Sequence, residues 1–233
     1  MGHRTTKWNP KMEQYILNTR NDVHIIDLEK TAQKLKLALD FIKETIGKGG
    51  VIILVGTTPA AKKIIEEAAV DLGTPYVTER WLGGTLTNFK IMDKRLNYFR
   101  ELERKRDAGE LEKYTKKERH EFNEEIKKMQ RKFGGIKNLT KIPNAILVLD
   151  PKKNDLAIKE ANRVGVKVVA FCDTNIDPEK IDYPIPANDD AISSLKLIMD
   201  YIIRAVGEGK KEMANTPAKG GTASGGQEPI SKK

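Results

Sequence analysis

Short apolar runs separated by amphipathic stretches are the most regular feature of this sequence. Residues 51–55, 145–149 and 166–171 are almost wholly apolar and are bounded by glycine or by polar turn residues. Runs of this length predict strands that are buried on both faces of a parallel sheet. Two shorter strands are predicted at residues 75–77 and 183–185, the second of them at an edge of the sheet.

Amphipathic patterns between these runs predict helices. Thr58 is a favourable N-cap and Pro59 is favoured at the first helical position, so a helix is predicted to begin there and to end near Gly73. Three further helices are predicted at residues 27–46, 155–163 and 191–206. Strands that alternate with helices indicate a doubly wound α/β domain, with a parallel sheet covered on both faces.

An insertion at residues 89–133 interrupts this alternation. Its first half carries apolar side chains at helical spacing: Phe89, Met92, Leu96, Phe99 and Leu102. Thr115 and Glu118 have the spacing of a capping box, which marks the start of a second helix. That helix carries a similar stripe: Phe122, Ile126, Met129 and Phe133. Two such stripes joined by a short loop predict an antiparallel helical, coiled-coil hairpin that projects from the sheet.

The distribution of charge divides the chain further. The net charge is +9 and the isoelectric point is about 9.4, which favours an anionic partner. Residues 1–20 contribute +3 and residues 90–132 contribute +5, whereas the stretches that carry the predicted sheet are close to neutral. We therefore predict four parts: a basic N-terminal arm at 1–20, a split α/β domain at 21–88 and 134–206, the hairpin at 89–133, and a flexible basic tail at 207–233.

Cellular location is predicted from what the sequence lacks. It has no apolar run long enough to cross a bilayer and no apolar stretch near the start that would serve as a signal peptide. Cys172 is the single cysteine, so no internal disulfide can form. These features predict a soluble, cytoplasmic protein without a membrane partner.

Polar residues follow the predicted strands at the positions where α/β proteins bind ligands. Asp150 and Asp173 would suit a phosphate-handling, receiver-like enzyme, but a receiver also needs acidic residues after its first strand, where this chain has Thr57 and Thr58. No glycine-rich phosphate-binding motif is present, and aspartates are also common turn residues. The sequence therefore predicts no catalytic, cofactor or metal site, and the receiver-like enzyme remains an alternative function.

Basic residues mark two candidate RNA-binding surfaces. RNA-binding proteins use cations to contact phosphates and aromatic rings to stack on bases. In the N-terminal segment the candidates are His3, Arg4, Lys7, Trp8, Asn9, Lys11 and Arg20. On the hairpin, where the apolar stripes face inward and the charges outward, the candidates are Arg95, Arg104, Lys105, Arg106, Lys116, Lys117, Arg131 and Lys132. A hairpin adaptor that binds acidic proteins is a second alternative.

Several motifs resemble the bacterial ribosomal protein S two family. Residues 2–12 read Gly-His-Arg-Thr-Thr-Lys-Trp-Asn-Pro-Lys-Met, residues 81–88 read Trp-Leu-Gly-Gly-Thr-Leu-Thr-Asn, and residues 185–192 read Ile-Pro-Ala-Asn-Asp-Asp-Ala-Ile. Shorter matches lie at residues 20–21, 24–28, 30–31, 134–136, 158–161, 173–175 and 177–178. The matches occur in order from Gly2 to about Gly207, which makes the resemblance highly specific.

This resemblance implies a flavodoxin-like fold and a structural, non-catalytic function. A member of the family would lie on the solvent side of the small ribosomal subunit, between head and body, with the hairpin directed toward rRNA and with other ribosomal proteins as neighbours. The family usually carries a short amphipathic helix before the Gly-His pair, which here is Gly2-His3. The resemblance also implies the large ribosomal protein S one as a candidate partner. Because this chain begins at Met1-Gly2, the contribution of that helix to docking S one is not expected here.

Overall fold

The computed structural model describes residues 2–215, so residues 216–233 of the predicted tail lie outside the described part. The strands in this range are β1 (Ile16–Arg20), β2 (Val23–Ile26), β3 (Ile52–Val55), β4 (Tyr76–Val77), β5 (Ala145–Val148), β6 (Lys167–Cys172) and β7 (Tyr183–Pro186). The α-helices are α1 (Leu28–Gly47), α2 (Pro59–Leu72), α3 (Phe89–Asp107), α4 (Lys116–Phe133), α5 (Asp155–Val164) and α6 (Ile192–Asn215). The predicted α/β class is confirmed.

Five of the strands form one parallel sheet in the order β4-β3-β5-β6-β7. Val55 pairs with Val148 and Val148 pairs with Ala170, so the carboxyl ends of the three central strands lie at the same edge. The loops that follow these strands therefore lie side by side. The predicted edge strand, β7, does lie at one edge of the sheet.

Helices cover both faces of the sheet. Alternate residues of a strand point to opposite faces, and here both sets are buried: Ile53 and Val55 face one core, whereas Ile52 and Leu54 face the other. The first core also contains side chains of α3, α4 and α5, and the second contains side chains of α1, α2 and α6. Burial on both faces explains why these strands are uninterrupted apolar runs.

The predicted start and end of α2 and the predicted start of α4 are confirmed. The Thr58 hydroxyl accepts a hydrogen bond from the Ala61 N–H at 3.3 Å, and Pro59 is the first residue of α2. Gly73 ends α2 with a φ of +54°, a left-handed conformation that a glycine adopts without strain. Thr115 and Glu118 form the capping box at the start of α4, where each side chain bonds the backbone N–H of the other residue.

Helices α3 and α4 are joined by residues 108–115. The stripe of α3 is buried at Met92, Leu96, Phe99 and Leu102. From α4, Ile126 and Phe133 belong to the same hydrophobic core. The Tyr98 hydroxyl donates a hydrogen bond to Glu125 at 3.3 Å, which joins the two helices on their outer side.

The structure differs from the predicted division at residue 20. Residues 16–20 form β1, which pairs with β2 in an antiparallel hairpin outside the main sheet. Asn21 and Asp22 form the turn with φ values of +49° and +56°, a conformation that these two residue types tolerate better than most. Because Leu17 and the rest of β1 beyond Ile16 are exposed, no alternation of apolar and polar residues indicates this strand.

A second difference is the length of α6, which continues past the predicted end at residue 206 to Asn215. Gly209 lies within this helix and against α1. A Cβ at that position would be 2.7 Å from the Lys43 carbonyl oxygen, so only glycine allows the two helices to approach so closely. Lys43 also pairs with Glu208 and Glu212, at 3.1 and 2.9 Å. Residues 207–215 are therefore helical, and Gly209 packs against α1, contrary to the prediction of a flexible tail for this part.

Candidate nucleic-acid interface

The N-terminal segment lies against the α/β domain. The Gly2 N–H donates to the His24 carbonyl at 2.8 Å, and Arg4 forms an isolated antiparallel bridge with Val23. The His3 N–H donates to the Thr174 hydroxyl at 2.9 Å, next to the carboxyl end of β6. Met12, in the following short helix, is fully buried. These contacts hold the basic residues of the segment at defined places on the surface.

The lysines and arginines among the candidates of this segment fall into two groups. Arg4, Lys7 and Arg20 are exposed and have no acidic partner among residues 2–215. Lys11 pairs with Asp177 and Glu179, and its hydrogen bond to Glu179 raises its pKa. The first three cations are thus free to contact phosphates.

Trp8 and Asn9 are half-buried and take part in local packing. The ring of Trp8 lies 5.0 Å from the ring of His24, centre to centre, at an angle of 43°. The Asn9 side chain caps the short helix that begins at Pro10, because its oxygen accepts a hydrogen bond from the Lys11 N–H. Trp8 therefore packs on the domain with one part of its ring and leaves another part accessible.

The cations of α3 and α4 also divide into paired and unpaired groups. Arg104 bonds Glu101 and Glu110, both at 3.0 Å, and its pKa is raised, chiefly by the hydrogen bond to Glu101. The other paired candidates are Lys105 with Glu101, Arg106 with Asp107, and Arg131 with Glu79. The candidates that have no acidic partner within the described chain are Arg95, Lys116, Lys117 and Lys132. The unpaired group carries most of the charge that is available to a polyanion.

Glu160 positions the loop from which α3 begins, and sequence reasoning assigned it no function. It is 5% exposed, and its carboxylate accepts hydrogen bonds from the N–H groups of Gly84, Leu86 and Thr87 at 2.7, 3.0 and 3.2 Å. A carboxylate that accepts several backbone bonds is a strong anchor for a loop. The only signal in the sequence is an acidic residue on the apolar face of α5, between Ala157 and Ala161.

The two aspartates of the enzyme alternative are used in turns. Asp150 accepts hydrogen bonds from the Thr57 and Thr58 N–H groups at 3.1 and 2.8 Å, which joins the loops after β3 and β5. Burial raises the pKa of Asp150. Asp173 is fully buried and accepts a hydrogen bond from the Thr174 N–H. Asp150 is thus bonded to the backbone of a neighbouring loop, and one oxygen of Asp173 is bonded to the backbone of its own turn.

The fold brings His3 together with three aspartates that are distant in the sequence. His3 Nδ1 lies 3.2 Å from Asp173 Oδ2, and His3 Nε2 lies 3.7 Å from Asp190 Oδ2. Burial, and secondarily the charge of Asp173, raises the pKa of Asp189 to about 7. Ligand atoms of His3, Asp189 and Asp190 lie within 4.8 Å of one another, a set of groups that could hold a divalent cation. The sequence predicted no metal site, because spacing alone does not place these residues together.

The fold and these side chains define an α/β protein with exposed basic residues, in which Asp150 joins the loops that follow two strands. No helix of the described chain is long and apolar enough to cross a membrane.

Comparison with known proteins identifies the family. Residues 1–209 match the family described as Ribosomal protein S2, and the chain belongs to this family. It is 49% identical over 217 residues to the small ribosomal subunit protein uS2 of Roseiflexus sp. (strain RS-1), which covers 93% of this chain and 83% of the relative. It is 46% identical to the protein of the same name from Dictyoglomus thermophilum, over 90% of this chain and 85% of the relative. It is also 46% identical to the protein of that name from Mycobacterium leprae, over 89% of this chain and 75% of the relative.

This membership confirms the resemblance found in the sequence. Members of the family are structural ribosomal proteins and not enzymes, so neither the receiver-like enzyme nor the hairpin adaptor is supported. The turn-forming contacts of Asp150 and Asp173 agree with this conclusion.

Proposed function

We propose that this protein is a structural constituent of the small ribosomal subunit, where it binds small-subunit rRNA and neighbouring ribosomal proteins during assembly and translation. The observation that carries the proposal is the match of residues 1–209 to a ribosomal protein family, together with relatives named as small-subunit proteins. The protein would act in the cytoplasm as part of the ribosome. Contact with the large ribosomal protein S one remains a prediction.

The finer fold assignment belongs to the same proposal. If the five strands of the parallel sheet are renumbered 1 to 5 along the chain, from β3 to β7, their order in the sheet is 2-1-3-4-5. This is the strand order of flavodoxin-like proteins. We propose that α3 and α4 form an antiparallel coiled-coil hairpin inserted in this fold, because a short loop joins them and their apolar stripes contribute to one core. The parts proposed are an N-terminal basic segment, a split α/β domain, this hairpin and a basic tail.

Two basic surfaces would bind RNA. The first contains His3, Arg4, Lys7, Trp8, Asn9, Lys11 and Arg20, and the second contains the hairpin residues Arg95, Arg104, Lys105, Arg106, Lys116, Lys117, Arg131 and Lys132. Within each, the unpaired cations should contribute most, since a paired cation must exchange its carboxylate for a phosphate. Charge reversal of Arg104, Lys105 and Arg106 together is still expected to weaken subunit incorporation.

Co-sedimentation tests the proposal directly. The tagged full-length protein, expressed in its own cells, should migrate with the small-subunit peak of a gradient at low salt and remain there at raised salt. Absence from that peak at both salt concentrations, with the protein folded as judged by circular dichroism, would refute the proposal.

A further inference from the structure

A cleft of about 430 Å³ opens where three elements meet at the base of α3 and α4. Its walls are residues 79–83 after β4, the last turns of α4, and the first turn of α5. Leu156 of α5 is 46% exposed and lies close to residues 82–83, because a Cβ on Gly83 would be 3.7 Å from its side chain. Leu82, which is half-buried, lines the same cleft. The cleft thus has an apolar wall that is open to solvent.

Cations line the rim of this cleft. Arg80, Lys128 and Lys132 are exposed, and none of them has an acidic partner among the residues that the structure describes. The one acidic residue of the cleft, Glu79, is already bonded to Lys62 and to Arg131, the latter at 3.1 Å. Lys128 and Lys132 are one helical turn apart on the same side of α4. The rim therefore carries three cations that form no ion pair within 4.0 Å in the described chain, although the pKa of Glu124, which is lowered chiefly by Lys127, is also lowered by the charge of Lys128.

We propose that this cleft binds an unpaired nucleotide of an RNA strand. Arg80, Lys128 and Lys132 would contact its phosphate and the next one, and Leu82 and Leu156 would receive the face of its base. A base in a duplex has both faces stacked, so only an unpaired base can lie on an apolar wall. The inference rests on the proposed function, because it names one site and one ligand class within the rRNA contact.

Charge and shape together favour RNA over an acidic peptide. The free cations surround an apolar wall formed by two leucines, and each nucleotide offers a phosphate and a flat apolar face at once. A stretch of acidic side chains would satisfy the rim but would leave Leu82 and Leu156 uncovered. Cross-linking distinguishes the two ligands.

A single reactive thiol can report on the occupant of the cleft. Cys172 is fully buried, so Leu156→Cys provides the one accessible thiol among the described residues, to which a short photo-cross-linker can be attached. In small subunits isolated with this variant, irradiation should yield a cross-link to one single-stranded rRNA position, mapped as a reverse-transcription stop. Val70→Cys is the matched control, because Val70 is 75% exposed on α2, at the other face of the sheet.

A charge variant measures the contact independently. The double variant Arg80→Gln/Lys132→Gln is tested for binding to small subunits that lack this protein. A plot of the logarithm of its binding constant against the logarithm of the salt concentration should have a slope shallower than that of the wild type by about 1.4, because two phosphate contacts to a single strand, worth roughly 0.7 each, are lost. Lys36→Gln with Lys196→Gln, two exposed lysines on α1 and α6, should leave the slope unchanged. Thermal unfolding should be the same for the wild type and for both double variants.

The outcomes separate this inference from the proposed function. Suppose that the wild-type protein binds the small subunit. If Leu156→Cys then cross-links only to protein or to nothing, the cleft does not bind RNA and the proposed function stands. The same conclusion follows if the charge variant keeps the wild-type slope. If wild-type protein does not bind the small subunit, both are refuted. A cross-link to an unpaired nucleotide together with the shallower slope supports the inference.

Discussion

Replacement of Glu160 by alanine should loosen the loop that positions α3. In the wild-type protein, Glu160 accepts three backbone hydrogen bonds from residues more than 70 positions away, at Gly84, Leu86 and Thr87. The alanine variant has no acceptor for these donors. The Leu86 N–H belongs to a residue that is 1% exposed, so water cannot replace the carboxylate there without a movement of the loop.

The magnitude follows from the exposure of each donor. A buried N–H left without a partner costs about 2 kcal/mol, and the two donors that water can reach cost about 0.5 kcal/mol each. We therefore expect the free energy of unfolding to fall by about 3 kcal/mol, which corresponds to about 9 °C in Tm for a domain of this size. Glu160→Gln keeps one acceptor oxygen and should lose about half as much.

Thermal and urea unfolding of the purified full-length chain measure this effect. Lys159→Ala on the same helix is the control, because Lys159 is exposed and its pair with Asp155, at 2.6 Å, is a surface ion pair of small value. An alanine variant at position 160 that unfolds within about 1 kcal/mol of wild type would show that the loop does not depend on the carboxylate.

Three further predictions concern α6, the aspartate cluster and α4. Gly209→Ala should destabilise the protein by about 1–3 kcal/mol, because the new Cβ would be 2.7 Å from the Lys43 carbonyl oxygen. Gly207→Ala, whose Cβ would have no atom within 4 Å, should be neutral or stabilising by up to about 1 kcal/mol, and equal effects of the two variants in urea unfolding would contradict the packing argument. The pKa of Asp189 is about 7 in the folded protein and 3.8 as its ordinary value, so the wild-type protein should lose stability relative to Asp189→Asn as the pH rises from 3.8 to about 7. Unfolding is measured in the presence of a chelator, and a stability difference that does not change with pH would refute this. Lys116→Glu with Lys117→Glu should lower small-subunit incorporation without destabilising α4, because acidic residues suit the first turn of a helix; normal incorporation would remove these lysines from the RNA-binding surface.

The structure also shows why the candidate site was only partly predictable. The basic residues were correctly placed on the outer sides of α3 and α4, because a helical stripe of apolar residues determines which side is buried. Which of these cations is paired depends on side-chain geometry: Arg104 forms ion pairs with Glu101 and Glu110, whereas Lys116 forms none in the described chain. The i, i+3 spacing of Glu101 and Arg104 is visible in the sequence, whereas the contact between Arg104 and Glu110 depends on the turn that follows α3.

Local signals in the sequence determined the elements of the sheet and its covering helices. A buried run such as residues 52–55 specifies a strand whatever its partner, and Thr58, Pro59 and Gly73 specify the ends of α2 through contacts within a few residues. The family was also determined by sequence, since its motifs are spread in order along residues 1–209.

Only the tertiary structure decided the features that depend on distant residues. Helix α6 continues through Gly209 because α1, which is far away in the sequence, lies close enough to hold it. Glu160 and His3 acquire their roles in the same way, through partners that are far away in the chain. Hydrogen bonds and packing contacts of this kind depend on distance in space, which a linear pattern of residue types does not contain.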